Sequence, residues 1–364
     1  MVDQLVEAIS QPEFRRSSHG GSVFVDHLAA SESTPDTAAI ATGPVSFPDR
    51  LPQRLTSSRE VSMTNPVDEL IAIVSVRPRG EDRFEGLGSH DDGVDATFGG
   101  HLLGQAVSAA LATVDEDRRL HSLHGYFLRA GRPGVPYRLE VERIRDGRSF
   151  CTRRVRVDQG DGKTQFELLA SCVIDELGPT LPASPPADLE SLPDPETLPT
   201  HQRLMAGLDP LPLPEAWALR DYGLDLRTIN APWAPDGVSP NGGIRLWFKG
   251  AGPLPLDHHL QAAIMAYQSD ESLADNVAAP WGATWGSPGV VFVSLDHAMW
   301  FHRPFDLNQW HLLDQRPVTV GHGRGLATSS VWNRAGELVV STTQEALLRL
   351  GDHVVAPDTG HDDQ

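Results

Sequence analysis

The chain has 364 residues, 40% of them hydrophobic and 22% charged, enough apolar side chains for a sizeable core and too many for full disorder. Its 30 basic and 49 acidic residues leave a net charge of −19, which argues against a nucleic-acid binder and against adhesion to anionic lipid. No apolar run approaches the roughly 18 residues needed to span a bilayer. The start, MVDQLVEAISQPEFRR, lacks the layout of a secretory signal, and Cys151 and Cys172 are too few for a disulfide framework or a metal cluster. A soluble cytoplasmic enzyme is expected.

Residues 1–62 are small, polar and unpatterned in runs such as SSHGGS and AASESTPDTAAIATGP, and are expected to be a disordered extension. A first domain, 63–177, opens on MTNPVDELIAIVSV, where Asn65 can cap a helix, Pro66 suits its first position and Glu69 lies in its first turn. GEDRFEGLG reads as a strand and turn. FGGHLLGQAVSAALATV reads as a helix, because Leu102, Leu103, Ala106, Val107, Ala110, Leu111 and Val114 recur at helical spacing. Gly99 and Gly100 allow close approach to its first turn. Four β-rich runs follow, LHSLHGYFLR, YRLEVERIRD, SFCTRRVRVDQ and TQFELLASCVI, separated by Gly- and Asp-rich turns.

Residues 178–214 carry ten of the 29 prolines and read as a linker. The second domain, 215–351, repeats the first: strands LDLRTIN and GIRLWFKG, the amphipathic helix LDHHLQAAIMAYQS, then four further β-rich runs. Residues 352–364 are a polar tail. In each half a helix precedes an aromatic strand ending in Arg (GYFLR, MWFHR), a Pro-bearing turn, a Gly-Arg pair and a hairpin. Laying one on the other offsets the copies by 302 − 128 = 174 residues. This is a duplicated α+β unit in which an antiparallel sheet wraps one helix.

No HExxH, CxxC, P-loop or GxSxG pattern appears. The duplication instead sorts the polar residues, since the half that keeps them at interior positions is the active one. Asp270 ends an otherwise apolar helix, where the helix dipole disfavours an acid. Ser294 interrupts GVVFVSLDH and Gln344 interrupts LVVSTTQEALL; the first-half counterparts lie near Thr113, Leu120 and Ala170.

The runs FGGHLLGQA (98–106), HSLHGYFLRAG (121–131), RDGRSFCTRRV (145–155), SLDHAMWFHRPF (294–305) and STTQEALLR (341–349) are ordered and spaced as in acyl-CoA thioesterase II, the TesB-type double-hotdog thioesterases, which the chain resembles over roughly 80–350. The resemblance implies a double hotdog: two fused units, each an antiparallel sheet around a central helix. It implies hydrolysis of acyl-CoA to a free acid and coenzyme A. The family's Asp, Thr and Gln fall on Asp270, Ser294 and Gln344, with Ser in place of the usual Thr. His121 is a weaker candidate, while His297 and His302 in the signature strand read as structural.

The groups fit the chemistry. A thioester is electrophilic and its thiol leaving group has a pKa near about 8.5, so a positioned water suffices. Asp270 is the expected general base, Ser294 and Gln344 hold the water, and the N–H groups around Gly99 and Gly100 stabilise the oxyanion. Arg129, Arg148, Arg303 and Arg324 are candidates for the phosphates of coenzyme A. No cofactor or metal is expected beyond the substrate's own coenzyme, and the sheet edges lead us to expect a homo-oligomer. Two alternatives stand beside this reading. A hotdog hydratase or dehydratase needs a His close to its Asp, and none follows Asp270 in ESLADN; a non-catalytic acyl-CoA binder would have lost a member of the Asp/Ser/Gln set.

Overall fold

The computed structural model describes residues 65–89, 96–208, 211, 215–221, 223–234, 237, 243–285 and 287–351. The expected extension 1–62 and tail 352–364 lie outside the described residues. All the elements below belong to one compact unit, Met63–Gln364.

Among the described residues, three longer helices and thirteen strands build the fold. The helices are α1 (Pro66–Val74), α2 (Gly99–Leu111) and α3 (His258–Ser269). The first-half strands are β1 (Val76–Gly80), β2 (Arg83–Gly86), β3 (Arg118–Phe127), β4 (Tyr137–Asp146), β5 (Phe150–Asp158) and β6 (Thr164–Ile174). The second half supplies β7 (Leu224–Asn230), β8 (Arg245–Gly250), β9 (Val290–Ser294), β10 (Asp296–Phe301), β11 (His311–Gly321), β12 (Arg324–Asn333) and β13 (Leu338–Leu350). They form one open antiparallel sheet in the order β1-β2-β4-β5-β6-β3-β10-β13-β12-β11-β8-β7, with β9 on β13. The halves join where β3 pairs with β10, Tyr126 opposite Asp296 and Ser122 opposite Trp300. This is the double-hotdog arrangement, a sheet wrapped around helices and not closed into a barrel.

Local chemistry sets the helix starts. The Asn65 side chain accepts the Val67 N–H at 3.1 Å with Pro66 at the first position, and Asp257 accepts from His259 and Leu260 ahead of α3. Helices α2 and α3 run antiparallel. A Cβ on Gly104 would lie 3.2 Å from the Ala263 carbonyl, and one on Gly100 2.4 Å from that of Tyr267, so the start of α2 lies against the end of α3. Around them the inner faces of the strands close one continuous core, from Leu70 and Leu103 to Val155, Phe166, Met265 and Val340.

Two segments differ from the sequence reading. Val76–Gly80 is an edge strand, although Val76 closes the run read as a helix and 77–79 belong to no run read from the sequence; four exposed residues, Pro78 among them, remove the alternation that marks a strand. The proline-rich segment does not hang free. It lies across the outer face of the second half's sheet, with Leu189, Leu192 and Leu198 on Trp247, Trp310 and Trp332. Polar contacts pin it: Trp247 Nε1 donates to the Pro193 carbonyl at 3.1 Å, Trp310 Nε1 donates to Glu196 at 2.9 Å, and Arg245 clasps Asp188 at 2.7 and 3.0 Å.

Candidate active site

Asp270 is the C-cap of α3 and is 7% exposed. An acid at a helix C-terminus faces the negative end of that helix's dipole, but the antiparallel packing brings the start of α2 to it. A Cβ on Gly99 would sit 2.5 Å from Asp270 Oδ2 and 2.9 Å from the Phe127 ring. Any side chain at 99 would displace the carboxylate. The free N–H groups and positive dipole end of α2 offset what α3 disfavours.

Asp270 Oδ1 faces the sheet. It accepts from Gln344 Nε2 at 2.6 Å, and His297 Nδ1 stands 3.5 Å away. Gln344 and His297 are both fully buried. Register explains their meeting. Ala298 pairs with Thr343, so the next step sets His297 beside Gln344 on the same inner face. Ser294 ends β9 opposite Ala346, two residues along β13 from Gln344, and so shares that face. The fold therefore gathers Asp270, Gln344 and the two glycines from both halves at one junction, with Ser294 on the same face of the sheet two residues along β13.

Other candidates lie at different distances. His121 bonds Ser171 Oγ at 2.8 Å and stacks edge-on with Phe150; burial lowers its pKa. It is six residues along extended β3 from Phe127, about 20 Å from the junction, so the structure does not bring it to Asp270. Arg129 lies two residues past Phe127 and donates to the Thr164 carbonyl at 2.8 Å. Arg324, three residues before the Ala327 that pairs with Gln344, holds Glu345 at 3.0 Å. Arg303 lies past Phe301 at the His121 end of the sheet. Arg148 sits in the β4–β5 turn there, its carbonyl accepting from Arg118, the first residue of β3.

At the corresponding positions the first half carries a different arrangement. Ala170 aligns with Gln344 and Arg153 with Ala327, since 344 − 170 = 327 − 153 = 174, and each pair lies in register across its two strands. The polar side chain has moved to the neighbouring strand. Arg153, 2% exposed, donates to Thr113 Oγ1 at 2.8 Å, to the Thr113 carbonyl at 3.1 Å and to Asp146 at 2.6 Å. A guanidinium therefore fills the space at the end of α2 that corresponds to the Asp270 junction.

Three titratable groups near Asp270 carried no role in the sequence reading: His297, read as structural, and Glu271 and Asp275. Burial and Asp275 push Glu271 up to about 8, and burial pushes Asp275 up to about 6 against donors from Thr284 and Trp285. Raised carboxyl pKa values mean that the folded chain keeps protons the unfolded chain has lost. Stability therefore falls as pH rises from about 4.5 to about 8 and then levels off. Removing the group should remove that slope. The melting temperature of Glu271→Gln relative to wild type is expected to climb by a few degrees between pH 5 and 8 and then stay flat. A pH-independent difference would mean that Glu271 is ionised in the folded chain.

A buried carboxylate with an amide on one oxygen and a helix start at the other is a candidate site for hydrolysis in a double-hotdog fold. Residues 236–347 match the family described as acyl-CoA thioesterase, and residues 89–173 its N-terminal domain. The chain is 32% identical over 300 residues to acyl-CoA thioesterase 2 of Haemophilus influenzae, covering 80% of this chain and all of that one. It is 32% identical over 291 residues to human acyl-coenzyme A thioesterase 8, covering 78% of this chain and 89% of that one. The crystal structure of the acyl-CoA thioesterase II TesB2 from Mycobacterium marinum superposes with a TM-score of 0.60 at 32% identity, over 78% of this chain and 99% of the other. The chain belongs to the acyl-CoA thioesterase family and is an acyl-CoA thioester hydrolase.

Proposed function

We propose that this hydrolysis runs through a water activated by Asp270 and held by Ser294 and Gln344, one site per chain, with no cofactor beyond the coenzyme A of the substrate. The observation that carries the reading is the buried 2.6 Å bond from Gln344 Nε2 to Asp270 Oδ1, made against the start of a helix from the other half. Gln344 Oε1 is enclosed with no hydrogen-bond partner and suits the water's second proton, while Oδ2 takes the first. Hydroxide adds to the thioester carbon, the N–H groups of Gly99 and Gly100 meet the oxyanion, and the C–S bond breaks as the proton passes to the thiolate. Arg129 and Arg324, at this end of the sheet, are the better placed partners for the phosphates.

The remaining parts of the reading rest on chemistry elsewhere in the chain. Free, buried Cys151 and Cys172 support a reducing cytoplasm, and among the described residues no helix is long and apolar enough to cross a membrane. The charge of −19 supports an enzyme without nucleic-acid partners. Tyr126, Leu169 and Trp300, each about half exposed on the outer face where the halves join, support a homo-oligomer.

Released thiol from acyl-CoAs of graded chain length tests the activity, and Ser294 variants test the site. Ser294→Ala is expected to cost about 1–3 kcal/mol of transition-state stabilisation, read as a fall in kcat/KM, with an unchanged melting temperature. Ser294→Thr, which restores the family's usual residue and restricts χ1, should match or exceed wild type. Equal turnover for Ala and Ser would leave Ser294 an ordinary strand residue.

A further inference from the structure

His297 has no part in the hydrolysis as described, yet its surroundings are those of a working group. It is fully buried, and its two ring nitrogens face different partners. Nε2 lies 2.8 Å from Ser269 Oγ, and Nδ1 makes no hydrogen bond and stands 3.5 Å from Asp270 Oδ1. Ser269 is the last residue of α3 and is itself 1% exposed, so no solvent competes for its hydroxyl. That hydroxyl has one proton and three acceptors in reach: the Ala266 carbonyl at 2.8 Å, Met299 Sδ at 3.4 Å and His297 Nε2. If the proton goes to Nε2, the imidazole is held as the tautomer with hydrogen on Nδ1, aimed at the carboxylate.

We propose that His297 is a positioning residue for Asp270: Ser269 sets its tautomer, and Nδ1–H donates to Asp270 Oδ1 when the site closes on substrate. The inference rests on Asp270 being the base. A carboxylate oxygen has two lone-pair directions. Gln344 Nε2–H takes one on Oδ1, and His297 takes the other after closing a few tenths of an ångström, a tightening common between free and occupied sites. With Oδ1 filled from two adjacent strands, Oδ2 alone is left to accept a proton, and it faces the start of α2 where the thioester carbonyl must lie. The carboxylate cannot rotate without breaking both bonds. Neighbouring Asp275 is engaged elsewhere, its Oδ1 accepting from Thr284 Oγ1 and the Trp285 N–H. This also gives the signature strand a role besides packing: β10 carries His297 to Asp270 while Met299 and Ala298 fill the core and the join between the halves.

The test separates the two ring nitrogens. In His297→Asn the amide nitrogen falls near Nδ1 and keeps a donor toward Asp270; in His297→Gln it falls near Nε2 and keeps only the contact with Ser269. Turnover of His297→Gln is expected to drop about 10–100-fold with KM changed less than about threefold, and His297→Asn to recover most of it. Ser269→Ala, which leaves the tautomer unset, should lower kcat several-fold at constant KM. Equal loss in Asn and Gln, or wild-type turnover in Gln or in Ser269→Ala, overturns the proposal. If both His297 variants fail to fold, the Ser269→Ala measurement decides alone. Asp270→Asn, run alongside, distinguishes the two levels: activity retained in Asp270→Asn removes the base and this inference with it. An inactive Asp270→Asn beside a fully active His297→Gln removes only the inference.

Discussion

Replacing Asp270 with Asn is expected to lower turnover by about 10²–10⁴-fold while the protein melts where wild type does. The substitution keeps the planar shape and its place between Gln344 and Gly99, so packing changes little. What it removes is the ability of Oδ2 to take a proton from water. The amide loses the attraction of the carboxylate to the start of α2 but also relieves its repulsion with Glu271 and Asp275, so the two changes in stability oppose each other. The readout is thiol released at saturating acyl-CoA. Near-wild-type turnover in a folded Asn variant would move the base elsewhere.

The second large effect comes from adding a single methyl group at either of two adjacent positions. Gly→Ala in a helix ordinarily gains about 0.8–1 kcal/mol. Here the new atom at 99 would meet Asp270 Oδ2 and the Phe127 ring, both side-chain groups that can swing aside. Gly99→Ala should therefore melt close to wild type and lose at least about tenfold in turnover, because the carboxylate is the part that moves. At 100 the new atom would meet the Tyr267 carbonyl at 2.4 Å, and backbone cannot swing. Gly100→Ala should force α2 away from α3 and cost about 1–3 kcal/mol, several degrees in melting temperature, besides activity. Unaltered turnover in Gly99→Ala would show that the junction has more room than these distances allow.

Asp270, Ser294 and Gln344 stand out in the sequence because duplication provides an internal reference, polar residues against apolar counterparts at fixed offset, and the structure joins two of them, Asp270 and Gln344. The two glycines were legible as places of close approach, although what approaches them, a carboxylate and a carbonyl from the other half, depends on antiparallel helix packing. His297 was not legible. One histidine on a buried strand looks like core, and only the register that sets it beside Gln344 shows otherwise. Arg153 was hidden for a related reason, since its partner Thr113 is 40 residues away and the exchange of polar residue between neighbouring strands leaves no local pattern. The proline-rich segment reads as a spacer in one dimension; three of its leucines, Leu189, Leu192 and Leu198, find the tryptophans only once the second half has folded.

That segment makes the two ends of the molecule unequal. The back of the second half's sheet is already covered by the chain itself, whereas the back of the first half leaves Phe150 and Leu169 at 44% and 50% exposure. A sheet with both backs bare could stack on its neighbours without limit, each copy offering a fresh surface to the next. With Trp247, Trp310 and Trp332 covered from within, the exposed aromatic and aliphatic side chains Phe150, Leu169 and Trp300 lie on the first half's back and at the join between the halves. Three leucines of the segment thus turn what would be a second bare apolar back into interior, far from any chemistry.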